Sequence, residues 1–150
     1  MPLTKLERAN ELADQFRDVY ANLNKSNCES GLIEHVYEEN MVFKDSFHTI
    51  NGIDDFKEYC ASLYENLNAC EFDFHKSWVT ENDAMLTWTM HYSHPRLRGG
   101  ETISVEGASQ ICFNDKIYSH QDYFDGGRLL YEHVPVLGSV ISYLKKRMQD

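Results

Sequence analysis

The segment HQDYFD, His120 to Asp125, follows a short run of residues that predicts a β-strand. Successive side chains of a strand point to opposite faces of its sheet, so His120, Asp122 and Phe124 share one face. An imidazole, a carboxylate and an aromatic ring then lie side by side. They either line a pocket or lie exposed on a solvated sheet. The rest of the sequence helps to decide between these two alternatives.

The residues before HQDYFD predict a long β-meander. Alternating and β-branched or aromatic residues are interrupted by turn residues at 81–83, at Pro95 with Gly99 and Gly100, and at Asn114 with Asp115. The strands predicted between these turns are Phe72–Thr80, Ala84–Ser93, Thr102–Phe113 and Lys116–Phe124. An apolar-rich stretch, Met41–Ile50, lies upstream and ends at Asn51 and Gly52; it predicts a strand with Phe43, Asp45 and Phe47 on one face.

Helical spacing of apolar residues dominates the two ends of the chain. Thr4 and Glu7 form a capping box at the start of the first predicted helix. Pro135 suits the first turn of the last helix, and basic residues suit its end. The apolar face of that last helix predicts docking on the sheet or on a partner, in preference to anchoring at a membrane surface. The predicted helices are Thr4–Asn24, Ser30–Val36, Ile53–Leu67, Leu129–His133 and Pro135–Met148.

This order of elements predicts an α+β fold in which a curved antiparallel sheet wraps the N-terminal helices and a further helix is added at the C-terminus. The sequence contains no internal repeat, low-complexity segment or linker. With 150 residues we expect one domain over residues 1–150. A composition that is 42% hydrophobic and 13% aromatic suffices for a core and a lined cavity.

Charge and composition exclude several function classes. The formal net charge is -10, which disfavours nucleic acid and anionic lipid as partners. The N-terminal residues lack an apolar signal segment, and no stretch approaches the roughly 20 apolar residues of a spanning helix. We therefore expect a cytoplasmic protein with no membrane partner. Its cysteines form no CxxC pair and are expected to be reduced thiols, namely Cys28, Cys60, Cys70 and Cys112.

Metal and nucleophile signatures are missing from the sequence. Seven histidines occur, but no HxH, HExxH or CxxC spacing does, so the sequence gives no support to a metal site, and a zinc site would require clustering of His, Asp and Cys in the fold. A serine nucleophile would need a sequence such as GxSxG, which does not occur.

Several segments together resemble the SnoaL-like branch of the nuclear transport factor 2 superfamily, from about Arg8 to about Met148. They are VFKDSF, the NG before a helix, the Trp-rich meander, HQDYFD and the tail GGRLLYEHVPVLG. The resemblance implies a cone-shaped sheet around a pocket whose mouth is gated by the N-terminal helices. It also implies a homodimer formed through the open face of the sheet and no metal or organic cofactor.

Members of this superfamily include ketosteroid isomerase, scytalone dehydratase, limonene epoxide hydrolase and a polyketide cyclase, as well as non-catalytic binding modules. In isomerase-like members a strand Asp, usually followed by Pro, is the general base; Asp45 matches it, with Ser46 in place of Pro. Tyr20 matches the hydroxyl that donates to an oxyanion. Ser109 falls where isomerases carry a second acid, which argues against ketosteroid isomerisation. Asp122 matches the late-strand acid of the cyclases.

On a strand the Cα atoms of His120 and Asp122 lie about 7 Å apart, so the two side chains can pair. Such a pair suits proton transfer, and equally suits a structural ion pair in a polar cavity. A tyrosine on an apolar helix face, as Tyr20 is, is more often a core residue whose hydroxyl is hydrogen-bonded. For Asp45 the alternative is a surface acid at the end of a strand. Aromatic rings can stack a ligand or fill the core and a dimer face. Expected ligand-binding residues are Phe43, Trp88, Ser109 and Phe124; expected stacking residues also include Trp78 and Tyr92.

Two functions follow from these expectations. The first is a pocket for a small hydrophobic molecule with cofactor-independent acid–base catalysis of the isomerase, cyclase, dehydratase or hydrolase type. Its catalytic candidates are Asp45, His120, Asp122 and Tyr20. The alternative is a non-catalytic ligand-binding or homodimeric assembly module with the same cone. Partner binding through an exposed apolar patch is a third possibility, which sequence alone does not test.

Overall fold

A computed structural model describes residues 2–24, 26–129 and 135–149. Its strands are β1 (Tyr37–Lys44), β2 (Thr49–Asn51), β3 (Ala69–Val79), β4 (Asp83–Ser93), β5 (Ile103–Phe113) and β6 (Ile117–Phe124). They form one curved, unclosed sheet in the order β2-β1-β6-β5-β4-β3. The helices are α1 (Lys5–Asn22), α2 (Leu32–Val36), α3 (Ile53–Asn66), α4 (Gly126–Leu129) and α5 (Pro135–Gln149).

The predicted α+β fold class is confirmed, with one departure in the sheet. The strands β3 to β6 pair antiparallel, as expected, but β1 pairs parallel with β6, placing Phe43 beside His120. A parallel neighbour requires a long crossover rather than a hairpin. Here α3 and the three strands of the meander supply it, so the sheet is mixed.

The stretch Met41–Ile50 was expected to run as one strand through Asp45, and this is wrong. β1 ends at Lys44, residues 45–48 turn back, and β2 begins at Thr49 opposite Lys44. The Asp45 carboxylate accepts the backbone N–H groups of Phe47 and His48, at 2.8 and 2.7 Å. Aspartate competes for the backbone in this way at turns.

The helices begin and end close to the predicted bounds. Thr4 caps α1, because its Oγ1 accepts the N–H of Glu7 at 3.1 Å. The second helix is shorter than expected and starts at Leu32, after Gly31 with a φ of 98°. α1 packs against β3, and α3 packs against β1. Both helices therefore cover the concave face of the sheet, and their buried side chains fill the core there: Ala9, Leu12, Phe16, Val19, Phe56 and Cys60.

The C-terminal region contacts the residue that follows β6, Asp125. The helix expected over Leu129–His133 falls mainly on residues 130–134, outside the described residues; α4 ends at Leu129. α5 covers the predicted closing helix, and its Lys145 Nζ donates to the Asp125 carboxylate. That hydrogen bond from Lys145 is the main reason why the pKa of Asp125 is lowered. Val140 and Leu144, on the apolar face of α5, are about half exposed.

Candidate functional site

A cavity of about 460 Å³ opens between α1, α3 and the concave face of the sheet. Its wall is mainly aromatic and aliphatic, with rings from α3, β1, β3, β4 and β6. Of the described residues that line it, none is a lysine or an arginine. The titratable groups on the wall are Tyr20, Asp45, His48, Tyr59, Cys60, Tyr64, Tyr92, His94 and Asp122.

One carboxylate oxygen of Asp122, on β6, contacts two neighbouring side chains. Its Oδ1 accepts the Ser109 hydroxyl at 2.5 Å and contacts His120 Nε2 at 2.6 Å. Ser109 is directly opposite Asp122 in the β5–β6 register, and its Oγ accepts the indole N–H of Trp88 at 2.9 Å. Oδ2 of Asp122 has no hydrogen-bond partner among the described residues. The carboxylate is thus oriented from behind and keeps one oxygen available to the cavity.

His120 continues the hydrogen-bond chain away from the cavity. It is 1% exposed, and its Nδ1 lies 2.8 Å from the Tyr37 hydroxyl, which lies 2.9 Å from the Tyr20 hydroxyl. The imidazole is enclosed by rings, with Phe43 at 4.9 Å and Phe16 at 5.2 Å between centroids. Packing therefore fixes the ring plane, and both ring nitrogens have partners.

The donors of this chain have a definite order. A carboxylate only accepts, so His120 carries its proton on Nε2 when it is neutral, and Nδ1 then accepts from Tyr37. The Tyr37 oxygen in turn accepts from Tyr20. Both tyrosines stay protonated at neutral pH, because burial raises the pKa of Tyr20 and of Tyr37 well above the ordinary value. The chain thus links two cavity residues, Tyr20 and Asp122, through two residues behind the wall.

Asp45 lies in a second cluster, in the turn between β1 and β2. Its side chain is only 4% exposed, and besides the two backbone groups it contacts His48 Nδ1 at 3.1 Å. Tyr59 of α3 donates to Asp45 Oδ2 at 3.3 Å. Burial, with a smaller contribution from Asp45, raises the pKa of the Tyr59 hydroxyl. Both oxygens of Asp45 are therefore occupied by neighbouring groups.

The residues predicted for the site divide into two sets. Six of them line the cavity: Tyr20, Phe43, Asp45, Trp88, Asp122 and Phe124. The other two, His120 and Ser109, lie behind the wall and bond Asp122 instead. Tyr92 also lines the cavity, whereas Trp78 is 58% exposed at the far end of β3.

Three polar residues of the site had no place in the sequence prediction: Tyr37, His48 and Tyr59. Tyr37 meets His120 across 83 positions of the chain, so no local pattern indicates the contact. Tyr59 lies on the apolar face of a helix, where the sequence pattern predicts a core residue as readily as a site residue. For His48 a signal exists, because an aspartate three positions earlier is typical of a side-chain-capped turn.

Cysteine and metal chemistry find little support in the geometry. All four cysteines are free, and burial raises the pKa of the Cys60 thiol on the cavity wall. The described residues contain no group of three or more His, Cys, Asp or Glu side chains placed to hold a metal ion. No helix in the described ranges is long and apolar enough to cross a membrane.

The sequence of this chain matches one known family. The family model of the SnoaL-like domain matches residues 13–120. The chain belongs to the SnoaL-like family. No curated protein has a sequence that matches this chain.

Solved structures share the fold at low sequence identity. An epoxide hydrolase of M. tuberculosis, described as LEH-like, is 12% identical, with 93% of this chain and 98% of that chain covered and a TM-score of 0.68. A protein of Catenulispora acidiphila with a ketosteroid isomerase-like fold, in complex with trimethylamine, is 12% identical over 80% and 89% of the chains, with a TM-score of 0.68.

A SnoaL-like protein from Jannaschia, assigned provisionally as a polyketide cyclase, is 10% identical over 83% of this chain and 91% of that chain, with a TM-score of 0.66. At these identities the likeness concerns the fold. Which reaction this chain performs has to be argued from its own side chains.

Proposed function

We propose that this SnoaL-like protein is a cofactor-independent acid–base catalyst that acts on a small, hydrophobic molecule. The observation that carries the proposal is the environment of Asp122. Its Oδ1 is bonded by Ser109 and His120, while its Oδ2, without a partner among the described residues, belongs to a wall that is otherwise largely apolar. A carboxylate fixed in this way is suited to remove or return a proton.

Asp122 is the proton acceptor in this mechanism, and Asp45 is not. Both oxygens of Asp45 hold the turn and Tyr59, so a proton transfer to it would break those bonds. His120 acts on Asp122 from behind and stabilises its charged form by donating from Nε2. His120 and Ser109 are therefore positioning residues, which keep the carboxylate in one orientation.

Tyr20 supplies a hydrogen bond at the other end of the same chain of groups. Its hydroxyl can turn from Tyr37 toward a ligand oxygen and so stabilise charge that develops there. The wall is mostly apolar, and its described residues include no lysine or arginine. Such a wall disfavours carboxylate or phosphate ligands, which would lose hydration without gaining a cation. We therefore expect an uncharged substrate with a ketone, lactone or hydroxyl group.

Base catalysis in the cavity can be measured with 5-nitrobenzisoxazole as a probe. Removal of its ring C–H proton by Asp122 forms the nitrile as the N–O bond breaks, and the coloured phenolate leaves without needing an acid. Asp122→Asn keeps an acceptor for Ser109 and removes the base, so we expect a rate loss of about 100-fold or more. Turnover is followed by phenolate absorbance, and the fold by circular dichroism.

The matched control is Asp73→Asn. Asp73 also bonds a histidine, His91, at 2.8 Å, but this pair does not line the cavity. We expect the control to react like the wild type. Equal rates for Asp122→Asn and the wild type, with thermal stabilisation by the probe in both, would reject catalysis and favour the non-catalytic binding module.

A homodimer formed through the open face of the sheet is also part of the proposal, as is a single domain acting in the cytoplasm without nucleic acid or membrane. Support for the homodimer comes from the convex face. Trp78 and Tyr123 project there with 58% and 47% of their surface exposed.

A further inference from the structure

The turn at residues 45–48 presents a second proton-transfer group to the cavity. His48 lines the cavity wall with its side chain 46% exposed. Its Nδ1 contacts both Asp45 oxygens, at 3.1 and 3.4 Å, and its Nε2 has no partner among the described residues. The sequence prediction and the proposed function both leave this imidazole without a role.

The position of His48 is fixed by the turn itself. The Asp45 N–H donates to the His48 carbonyl at 3.0 Å, and the Asp45 carboxylate accepts the His48 N–H. The imidazole also lies against the Tyr59 ring, with centroids 5.0 Å apart. Backbone, carboxylate and ring contact therefore hold the side chain from three sides.

The proton on the neutral His48 ring has one possible place. Asp45 already accepts two backbone N–H groups and the Tyr59 hydroxyl, so both of its oxygens serve as acceptors. Nδ1 must then donate, and Nε2 keeps its lone pair or carries an extra proton. An imidazole oriented by a carboxylate at one nitrogen is able to transfer a proton at the other.

The cavity thus has two Asp–His pairs in opposite order. In the inner pair the histidine is 1% exposed and the carboxylate of Asp122 faces the cavity. In the outer pair the carboxylate of Asp45 is 4% exposed and the imidazole of His48 faces it. The rings of Tyr59 and Phe43 lie between them, in contact with His48 and His120.

We propose that His48 is a second acid–base residue, and that the cavity is built for reactions that move two protons, namely removal or addition of water. The proposal rests on the proposed function, in which Asp122 is the first such residue. A single-base isomerisation would leave the outer pair without a use.

The step balances without a further reactant. Asp122 Oδ2 takes the C–H proton next to a carbonyl, and the electrons of that bond form C=C. The C–O bond to the hydroxyl breaks, and the His48 imidazolium gives its Nε2 proton to the leaving oxygen, which departs as water. Afterwards Asp122 returns its proton to water, and His48, which is partly exposed, takes one up.

Two probes of the same size separate the two groups. 5-Nitrobenzisoxazole needs only a base, whereas the aldol adduct of benzaldehyde and acetone needs a base and an acid to lose water and give benzalacetone. His48→Asn keeps a side-chain donor for Asp45 and lacks the basic nitrogen. We expect this variant to dehydrate the adduct about 100-fold more slowly, a loss much larger than its loss of benzisoxazole rate.

The control for His48→Asn is His91→Asn, which removes an aspartate-bonded imidazole outside the cavity and should change neither rate. Unchanged dehydration in His48→Asn overturns the inference, as does a wild type that reacts with the benzisoxazole but does not dehydrate the adduct. Failure of the proposed function is different, because there Asp122→Asn leaves the benzisoxazole rate unchanged.

A readout without turnover is the tautomer of the ring. In protein labelled with ¹⁵N-histidine, neutral His48 is expected as the Nδ1–H form and His120 as the Nε2–H form, which ¹⁵N chemical shifts distinguish. Benzalacetone, the product, should shift the His48 Nε2 resonance and leave that of His91 in place. An Nε2–H form for neutral His48 counts against the proposal, whatever the rates.

Discussion

The Tyr37 hydroxyl bridges Tyr20 and His120 and so connects the two ends of the buried chain, whose donor order is set by the Asp122 carboxylate. It donates to His120 Nδ1 and accepts from Tyr20, at 2.8 and 2.9 Å. With Nδ1 occupied as an acceptor, the proton of neutral His120 remains on Nε2, where it stabilises the Asp122 carboxylate. Tyr37 is thus a positioning residue for a carboxylate that it does not touch.

Tyr37→Phe leaves a buried imidazole nitrogen without a donor. Such an unpaired group costs about 1–3 kcal/mol of the free energy of unfolding, which urea unfolding measures. The Asp122 carboxylate still holds the His120 proton on Nε2, so the tautomer should not change, but the ¹⁵N resonance of Nδ1 should shift because that nitrogen loses the Tyr37 donor. The benzisoxazole rate should fall because the imidazole is held less firmly behind Asp122.

The matched control is Tyr118→Phe, which removes a hydroxyl from a tyrosine that is 41% exposed on the same sheet. It should change neither stability nor the His120 Nδ1 resonance. A His120 Nδ1 resonance in Tyr37→Phe identical to that of the wild type would contradict the hydrogen bond from Tyr37, even if the variant were less stable.

At the scale of elements, the close pairing of β4 and β5 places Trp88 where it can bond Ser109. Gly107 is opposite Trp88 in the register, and the indole lies over it. A Cβ at Gly107 would come 2.4 Å from the Trp88 ring and 2.7 Å from the Tyr123 carbonyl. Position 107 therefore requires glycine, because the Trp88 ring and the Tyr123 backbone approach it closely. The close approach lets the indole N–H of Trp88 reach Ser109.

Gly107→Ala should force Trp88 away from β5 and break its bond to Ser109. Overpacking of this kind costs about 1–3 kcal/mol, which thermal or urea unfolding detects. Because Ser109 then loses the partner that orients its hydroxyl, the benzisoxazole rate should also fall. Ala108→Gly, next to it on the convex side, serves as a control for backbone effects; a wild-type rate in Gly107→Ala would show that Trp88 does not act on the site.

Alternation along β6 was sufficient to predict that His120, Asp122 and Phe124 share the concave face, and capping residues predicted the start of α1. The turn at Asp45 was missed, because an apolar stretch indicates a strand until one knows that the carboxylate takes up the backbone donors. The pairing of β1 with β6 and the Tyr37–His120 bond depend on contacts between residues that are distant in the sequence. The periodicity of apolar residues and the secondary-structure propensities, which are local, do not encode such contacts.

At the scale of the whole molecule, the convex face of the sheet lies opposite α1 and α3, and the C-terminal region approaches it only where Arg128 donates to the Ser104 carbonyl at 3.3 Å, as far as the described contacts show. The convex face carries exposed aromatic side chains, Trp78 on β3 and Tyr123 on β6, among polar neighbours. Single exposed rings are ordinary on a protein surface, but two on one sheet face suit contact with a second copy. The net charge of -10 acts against that contact, because two copies repel each other.

We therefore expect a homodimer whose association strengthens with salt, since screening reduces the repulsion between two acidic chains. Light scattering after size exclusion should give twice the chain mass of 17.5 kDa, with a larger dimer fraction at high ionic strength. Tyr123→Glu or Trp78→Glu should give a folded monomer, because each places a charge in an apolar contact. Leu3→Glu adds the same charge at an exposed residue before α1 and should remain dimeric. A wild type that stays monomeric at micromolar concentration in high salt would refute the dimer.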